Sequence, residues 1–358
     1  MAYTDIDKSD DYFTPFLWTG DGASTRSITG VGLQADMMWS KIRSQGHQHN
    51  IVDTVRGVNQ RLLMPSDSNA EDTTGTQGYF NSLDSDGFSL TYGGAGGYNT
   101  NRSGDTYVGW FWKAGGSASS NSDGTITSSV SANTTAGFSI VTWTGDGNKS
   151  ATVGHGLGSE LSCIIIKERT GGDWWHNWQT GLSGDSYNMF FNNDQAERSA
   201  YNDGHVKKLN NTTTFGFDSS TSNVNAVNQS GVDNVGYCFA EKKGFSKFGK
   251  YIGNGSSDGA YVYTGFKPAM MIIKKIDGVE EWGIYDNKRD PFNVADHRLF
   301  PNLSDSESTS TDMLDFTSNG FKCRTSNNMV NANTGEYVYM AFAENPFVTS
   351  TGISGLAG

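Results

Sequence analysis

Short apolar and aromatic runs separated by polar turns set the pattern of this chain. Clear examples lie at residues 140–143, 162–167, 261–263 and 270–275. Each run is rich in β-branched and aromatic residues and is bounded by Gly, Asn, Asp or Ser, which is typical of β-strands. No stretch combines apolar residues at helical spacing with capping residues at its ends. The pattern therefore predicts an all-β protein.

The same order of residues recurs three times, with a period of about 100 residues that suits a small domain better than a solenoid repeat. Each copy has an aromatic residue before a glycine turn, an apolar run ending in lysine, a Gly-Phe pair and a closing aromatic strand. The turns are Gly20-Asp21-Gly22, Gly145-Asp146-Gly147 and Gly253-Asn254-Gly255; the lysines are Lys41, Lys167 and Lys274; the pairs are Gly87-Phe88, Gly216-Phe217 and Gly320-Phe321. We therefore predict three tandem domains of one kind.

The predicted domains are β-sandwiches or jelly rolls of about seven or eight strands each. They cover residues 1–114, 137–243 and 244–358, the last with a C-terminal tail. Residues 115–136 are rich in Gly, Ser and Thr and contain no aromatic residue, which predicts a linker. The first domain is then expected either to swing or to form a different contact. No such spacer precedes the third domain, so the second and third are expected to pack closely.

Composition and net charge limit the classes of function that the chain can have. The 45 glycines, 6 prolines and 12% aromatic residues suit short strands joined by flexible turns. A formal net charge of −12 disfavours nucleic acid and anionic membrane surfaces as partners. The chain shows neither a signal peptide nor a run of transmembrane length, so membrane insertion is not expected. The three cysteines do not suggest a disulfide framework and are expected to be buried thiols.

The most interesting candidates for binding are the tryptophans of the segment Trp174-Trp175-His176-Asn177-Trp178. Strand alternation cannot hide all three indoles on one face. An exposed indole beside an amide suits stacking on a sugar ring, and Trp282 in the third copy is a further candidate. The alternative is that the outward tryptophans pack against a neighbouring domain or subunit.

Two metal sites are conceivable, although no cofactor is required. His47 and His49 would share one face of a strand, and in a trimer such pairs could hold a transition metal. The alternative is a polar loop. Asp21 and Asp146 in the glycine turns could bind calcium, but Asp-Gly is also an ordinary hairpin turn, and Asn254 replaces the carboxylate in the third copy.

The sequence does not predict an enzyme. It lacks the Gly-x-Ser-x-Gly elbow, the P-loop and the His-Glu-x-x-His motif. Glu280-Glu281 beside Trp282 is the best carboxylate pair for glycoside cleavage, but a solvated hairpin tip explains it more simply.

The motif order resembles a repeat in virion proteins of tailed bacteriophages, notably marine and cyanobacterial ones. In the second copy the resemblance is carried by residues 152–158, 163–167 and 174–175; in the third it is carried by residues 265–275, by Trp282, Asp286 and Arg289, and by residues 318–321 and 333–339. The resemblance extends from about Phe13 to Phe347 and implies a lectin-like β-sandwich fold, a place on the virus particle and no known catalytic residues.

These observations lead to a virion structural protein of a tail appendage, a fibre or adsorption device, made in the bacterial cytoplasm. Expected partners are other virion proteins, further copies of the chain in a trimer, and host-surface polysaccharide. Weak sites repeated by oligomerisation would gain avidity. The alternatives are a capsid decoration, cement or head-fibre protein and, third, a polysaccharide depolymerase tailspike.

Overall fold

The computed structural model describes residues 3–59, 62–199, 204–309 and 311–354. The described chain is nearly all β, with strands paired antiparallel in several sheets. Of the predicted domain ends, residues 1–2 and 355–358 lie outside the described residues. No helix in the described ranges is long and apolar enough to span a membrane.

The strands follow the three copies of the repeat. Repeat 1 holds β1 (Phe13–Thr19), β2 (Thr25–Thr29), β3 (Met37–Ile42), β4 (Asn50–Asp53), β5 (Tyr79–Asp84), β6 (Gly87–Thr91) and β7 (Thr106–Trp112), after a 3-10 turn at Ser9–Asp11. A hairpin of β8 (Ser119–Asn121) and β9 (Ser128–Asn133) follows. Repeat 2 holds β10 (Phe138–Thr144), β11 (Thr152–Gly154), β12 (Cys163–Glu168), β13 (His176–Gln179), β14 (Tyr187–Phe190), β15 (Arg198–Ser199), β16 (His205–Lys207), β17 (Thr214–Asp218), α1 (Asn225–Asn228) and β18 (Asp233–Phe239). Repeat 3 holds β19 (Ser246–Ile252), β20 (Tyr261–Tyr263), β21 (Phe266–Lys275), β22 (Gly283–Asp286), β23 (Leu314–Thr317), β24 (Gly320–Cys323), α2 (Asn328–Asn331) and β25 (Glu336–Pro346).

Each repeat pairs a larger sheet with a three-stranded sheet. The larger sheet has the order β1-β7-β3-β4 in repeat 1, and β10-β18-β12-β13 and β19-β25-β21-β22 repeat that order. The small sheets are β2-β6-β5, β11-β17-β16 and β20-β24-β23. Apolar side chains of both sheets meet in one core in repeats 1 and 2, which is the packing of a β-sandwich.

The segment 115–136 is not a free linker. Strands β8 and β9 form a hairpin, and β9 pairs with β10, so this segment extends the large sheet of repeat 2. The backbone groups of Ser, Thr and Asn pair in a β-strand as those of apolar residues do, which is why composition alone misassigns the segment. Repeat 1 is held in place rather than free to swing.

The Gly-Phe pair of repeat 2 matches the other two pairs against one neighbouring strand but not against the other. Phe217 pairs with Val206 of β16 as Phe88 pairs with Leu83 and Phe321 with Phe316, whereas the pairing with β11 differs. Phe88 of repeat 1 pairs with Ile28, and Phe321 of repeat 3 pairs with Val262; the residue that pairs with the matching Val153 is Phe215 rather than Phe217. The pairing of β17 with β11 is therefore shifted by two residues relative to the other repeats. A shift of two keeps every side chain on the same face of a strand, so the pattern alone could not reveal it.

The large sheets are buried on both faces. In β7, Tyr107 and Phe111 join the core of repeat 1, whereas Val108, Trp110 and Trp112 join a second core that contains residues of all three repeats. We call this second cluster the shared core. Burial on both faces explains why the apolar runs read as continuous rather than alternating.

Matching aromatic residues of the three repeats meet in the shared core. Trp112 and Phe239 end the closing strands of repeats 1 and 2, and Phe342 stands at the matching position of β25, which continues to Pro346. The ring centroid of Phe342 lies 5.5 Å from that of Trp112 and 5.7 Å from that of Phe239. Phe13 stacks on Phe342 at 4.9 Å, which joins repeat 1 to repeat 3 directly. The three repeats therefore surround one aromatic centre.

The junction between repeats 1 and 2, which we call seam A, is ionic. The Tyr237 hydroxyl of repeat 2 donates to Asp53 Oδ2 of repeat 1 at 2.8 Å, and Arg56 Nε pairs with the same oxygen at 2.5 Å. Glu71 pairs with Arg56 and, at 3.1 Å, with Arg169 of repeat 2. Asp53 and Arg56 are fully buried, so each charge depends on the other for compensation.

The junction between repeats 3 and 1, seam C, uses the same design. Trp110 Nε1 of repeat 1 donates to Asp286 Oδ2 of repeat 3 at 3.0 Å, and Arg289 Nε pairs with that oxygen at 2.5 Å. Glu307 bridges Arg289 at 3.1 Å and Arg43 of repeat 1 at 2.7 Å. Strand registers place Asp286 where repeat 1 has Asp53, and Trp110 where repeat 2 has Tyr237.

The junction between repeats 2 and 3, seam B, lacks these charges. Gln179 stands at the position of the buried aspartate, and Met340 stands where the other repeats have Tyr237 and Trp110. The backbone NH of Glu197 in repeat 2 donates to the carbonyl of Ile276 in repeat 3 at 3.0 Å. In seams A and C the equivalent backbone bonds run from Glu71 and Glu307 to the carbonyls of Arg169 and Arg43. The buried aspartate and the hydrogen-bond donor that faces it are thus replaced together in seam B. Because seams A, B and C join each repeat to the other two, the three repeats form a closed ring.

The lysine that ends each apolar run is buried at a seam. Lys167 Nζ donates to the Glu168 carbonyl at 2.8 Å and to the Ser68 carbonyl of repeat 1 at 3.2 Å. Lys41 and Lys274 donate to the carbonyl of the residue that follows each of them. Burial lowers the pKa of Lys41 to about 7 and the pKa values of Lys167 and Lys274 to about 8.

Replacing Asp53 with alanine tests the ionic seam. The change leaves Arg56 buried without its nearest counter-charge, so we expect the free energy of unfolding in urea to fall by about 3–5 kcal/mol. The matched control Lys8→Ala removes the exposed Lys8–Asp11 pair, and we expect it to leave the stability nearly unchanged because exposed ion pairs contribute little. Equal costs for the two variants would contradict the assigned role of seam A.

Candidate functional site

The structure buries most of the predicted sugar-binding cluster. Trp175 is fully buried and its Nε1 donates to the Met64 carbonyl of repeat 1 at 3.1 Å. Trp178 and Asn177 are also buried; their side chains donate to the carbonyls of Gly184 at 3.1 Å and Ile164 at 3.4 Å. These three side chains cannot stack on a soluble sugar. Only Trp174 is partly exposed, with its edge against Phe190 at 4.7 Å.

Trp282, the candidate in repeat 3, is also unavailable to a sugar. It is buried, its Nε1 donates to the Phe190 carbonyl of repeat 2 at 3.0 Å, and its ring stacks on Phe191 at 4.3 Å. Trp175 and Trp282 stand at the same position of their repeats, one residue before the strand that pairs with the apolar run. Both indoles therefore pack against the preceding repeat across a seam. This is the alternative to sugar binding, in which the tryptophans contact a neighbouring domain.

The predicted histidine metal site is not formed. His47 and His49 precede β4 rather than lie on a strand. The His47 ring stacks on Tyr98 at 5.0 Å, whereas His49 is fully buried and its Nδ1 accepts from Trp39 Nε1 at 3.0 Å. Because His49 is buried within the chain, it cannot meet copies of itself on a trimer axis.

Asp21 and Asp146 serve the turns rather than a calcium ion. Asp21 Oδ1 accepts from Ala23 NH and from the buried Asn101 side chain, both at 2.8 Å. Asp146 Oδ1 is bonded by Asn228 in the same way at 2.8 Å. In repeat 3 the neutral Asn254 accepts from Asn331 at 3.0 Å, so this role needs no negative charge. The glycine turn needs a side-chain oxygen as a hydrogen-bond acceptor, and either Asp or Asn supplies it.

A group of tyrosines that the sequence analysis did not single out lies at the surface of repeat 3. Tyr261 and Tyr263 project to solvent from β20, an edge strand, with 49% and 53% of their surface exposed, while Val262 between them is buried. Tyr3 joins them through a contact of 3.1 Å between its hydroxyl and that of Tyr263. We call these three residues the tyrosine face.

Hydrogen bonds hold the tyrosine rings by their edges. The Tyr261 hydroxyl donates to Asn319 Oδ1 at 2.5 Å, and the Tyr3 hydroxyl donates to the Gly265 carbonyl at 2.8 Å. Lys243 Nζ lies 4.4 Å from the centre of the Tyr3 ring. The Tyr261 and Tyr263 side chains are therefore fixed at their tips while much of their surface remains open to solvent.

This arrangement suits stacking on a carbohydrate. Side chains two residues apart on a strand are spaced by about 6.5–7 Å, so adjacent rings can contact neighbouring parts of an oligosaccharide. Lys322 and Gly320 are the cross-strand partners of Tyr261 and Tyr263, and the Lys322 ammonium pairs with Asp258 beside the tyrosine face. Repeat 1 has Ser27 and Thr29 at the corresponding positions, so the tyrosine face is a specialisation of repeat 3.

Comparison with known families gives one result. The chain belongs to the family described as "Domain of unknown function (DUF7483)", whose model matches residues 8–346. This one match runs through all three repeats and the segment between the first two. No curated protein and no solved structure gives a significant match.

Buried histidines in repeat 2 predict sensitivity to acid. Burial lowers the pKa of His176 to about 3 and the pKa values of His155 and His205 to about 4. Between pH 6.5 and about 4 the unfolded chain therefore binds more protons than the folded chain, and stability falls as the pH is lowered through this range. The melting temperature should therefore drop steeply as the pH is lowered from 6.5 to about 4.

The variant His205→Gln should weaken that dependence, because one group that takes up a proton on unfolding is removed. A melting temperature that stays constant from pH 6.5 to 4 in the wild-type protein would contradict this account.

Proposed function

We propose that this protein is a structural component of a tailed-bacteriophage particle, placed in a tail appendage, and that its tyrosine face binds host-surface polysaccharide. One observation carries the binding part of the proposal. Of the aromatic residues that are largely exposed in the described chain, Tyr261 and Tyr263 lie side by side, whereas Phe292 lies on a separate loop. Adjacent exposed rings with fixed tips favour a ligand that stacks on them.

The organisation of the chain supports a mechanical role. Five tryptophans and the two buried Asp–Arg pairs of seams A and C join repeats to one another, which favours a rigid unit that presents one face; the tryptophans are Trp39, Trp110, Trp112, Trp175 and Trp282. A single tyrosine face binds weakly, so adsorption to a cell would depend on many copies on one particle. Contacts with other virion proteins belong to the same proposal.

A place on the capsid, as a decoration, cement or head-fibre protein, is the second candidate. The observation that favours it is the closed ring of seams A, B and C, which gives one chain an approximate threefold arrangement. Such a chain can sit on a threefold axis of a shell or of a trimeric fibre without forming a trimer itself. The predicted homotrimer accordingly stays a prediction.

The depolymerase alternative gains no support from the Glu280-Glu281 pair. Glu281 accepts a hydrogen bond from Asn302, and the adjacent Trp282 is buried, so no sugar-binding groove accompanies the carboxylates. We propose a protein that is not an enzyme.

Glycan binding can be tested with purified protein on an array of bacterial surface polysaccharides. The double variant Tyr261→Ala/Tyr263→Ala should lose at least tenfold in affinity, because stacking contributes about 1–3 kcal/mol where an aromatic ring meets a planar or ring-shaped ligand. Phe292→Ala, which removes an exposed aromatic side chain elsewhere on repeat 3, is the matched control and should bind as the wild type does. Unchanged binding by the double variant would exclude the tyrosine face as the site.

The location on the particle can be tested by immunogold electron microscopy of purified virions with antibody against this chain. Label on the tail or its fibres is expected. Label spread over the head would contradict the tail placement and support the capsid alternative, and virions without label would contradict both.

A further inference from the structure

We propose that Asp290, Asp296 and His297 of repeat 3 bind one divalent cation. Asp290 Oδ1 and Asp296 Oδ1 lie 2.5 Å and 3.0 Å from His297 Nδ1. The three ligand atoms lie within 4.8 Å of one another, and they form the one such group of at least three His, Cys, Asp or Glu residues in the described ranges. The 2.5 Å contact is a hydrogen bond, so a cation would replace the proton shared by His297 Nδ1 and Asp290 Oδ1 and move these two atoms slightly apart.

Charge and hydrogen bonding both favour a cation at this point. Two carboxylate oxygens approach the same ring nitrogen, but a single N–H can make a well-directed hydrogen bond to only one of them. Asp290 is 8% exposed, so its negative charge is largely removed from water. With a neutral imidazole the group carries two negative charges, which one divalent cation balances.

The ligand types select the class of cation. One imidazole nitrogen with two carboxylate oxygens suits Zn²⁺, which binds both ligand types, or Mn²⁺, which favours the carboxylates. Ca²⁺ prefers six to eight oxygen ligands and is expected to bind poorly. The His297 and Asp296 side chains are each 32% exposed, which leaves an entry path and room for water ligands.

The site lies beside seam C. Asp290 follows Arg289, and Glu307, which bridges Arg289 and Arg43, lies 3.9 Å from His297 Nε2. The cation would thus join the loop after β22 to the junction between repeats 3 and 1. In repeat 1 the residue after the matching Arg56 is Gly57, so the site belongs to repeat 3 alone.

The test is titration calorimetry of chelator-treated, full-length protein with Zn²⁺, Mn²⁺ and Ca²⁺, together with melting temperatures. We expect one equivalent of Zn²⁺ or Mn²⁺ to bind and to raise the melting temperature, with Ca²⁺ at least tenfold weaker. His297→Gln and Asp296→Asn should each weaken binding at least tenfold and abolish the metal-induced rise in melting temperature. Asp315→Asn, on β23 of the same repeat, is the control and should bind normally.

X-ray absorption at the zinc edge of the loaded protein should show mixed nitrogen and oxygen ligands without sulfur. Three results would overturn the proposal: no binding of either transition metal, equal binding by the His297→Gln and wild-type proteins, or a sulfur-containing ligand shell. The group would be a plain ion pair if metal left the melting temperature of the wild type unchanged while the variants melted at a lower temperature than the wild type without metal.

Discussion

Every large sheet of this chain must be covered on both of its faces. The small sheet of the same repeat covers one face, and the shared core, to which all three repeats contribute, covers the other. A single repeat would leave a broad apolar face in water, which costs about 25 cal/mol for each Å² of apolar surface. The continuous apolar runs, the buried tryptophans at the seams and the closed ring all follow from this constraint.

The seams show that the three repeats have diverged as interacting pairs. Where a repeat presents Tyr237 or Trp110, the neighbouring repeat presents a buried aspartate that accepts its hydrogen bond. Where a repeat presents Met340, which has no donor, the neighbour has Gln179 and Leu182 instead of an aspartate and an arginine. A buried charge without a partner is strongly destabilising, so donor and acceptor must be kept or lost together.

Local patterns predicted the strands, the glycine turns, the buried cysteines and the threefold repetition, because each depends on residues close together in the chain. The packing of Trp175 and Trp282 across seams, the β8–β9 hairpin and the shifted position of Phe215 depend on distant residues, so the sequence pattern left them open or misassigned them. The alternation of exposed Tyr261, buried Val262 and exposed Tyr263 was visible in the sequence as a half-buried strand. It was missed because the crowded tryptophans were the stronger aromatic signal.

The shared core makes the three repeats one folding unit, whose rigid surface carries the tyrosine face. Differential scanning calorimetry of the full-length chain tests this most directly. A shared core predicts one cooperative transition in which the van't Hoff and calorimetric enthalpies agree. Two or three resolved transitions, each with the enthalpy expected for a unit of about 100 residues, would show that the repeats fold separately and would contradict the account.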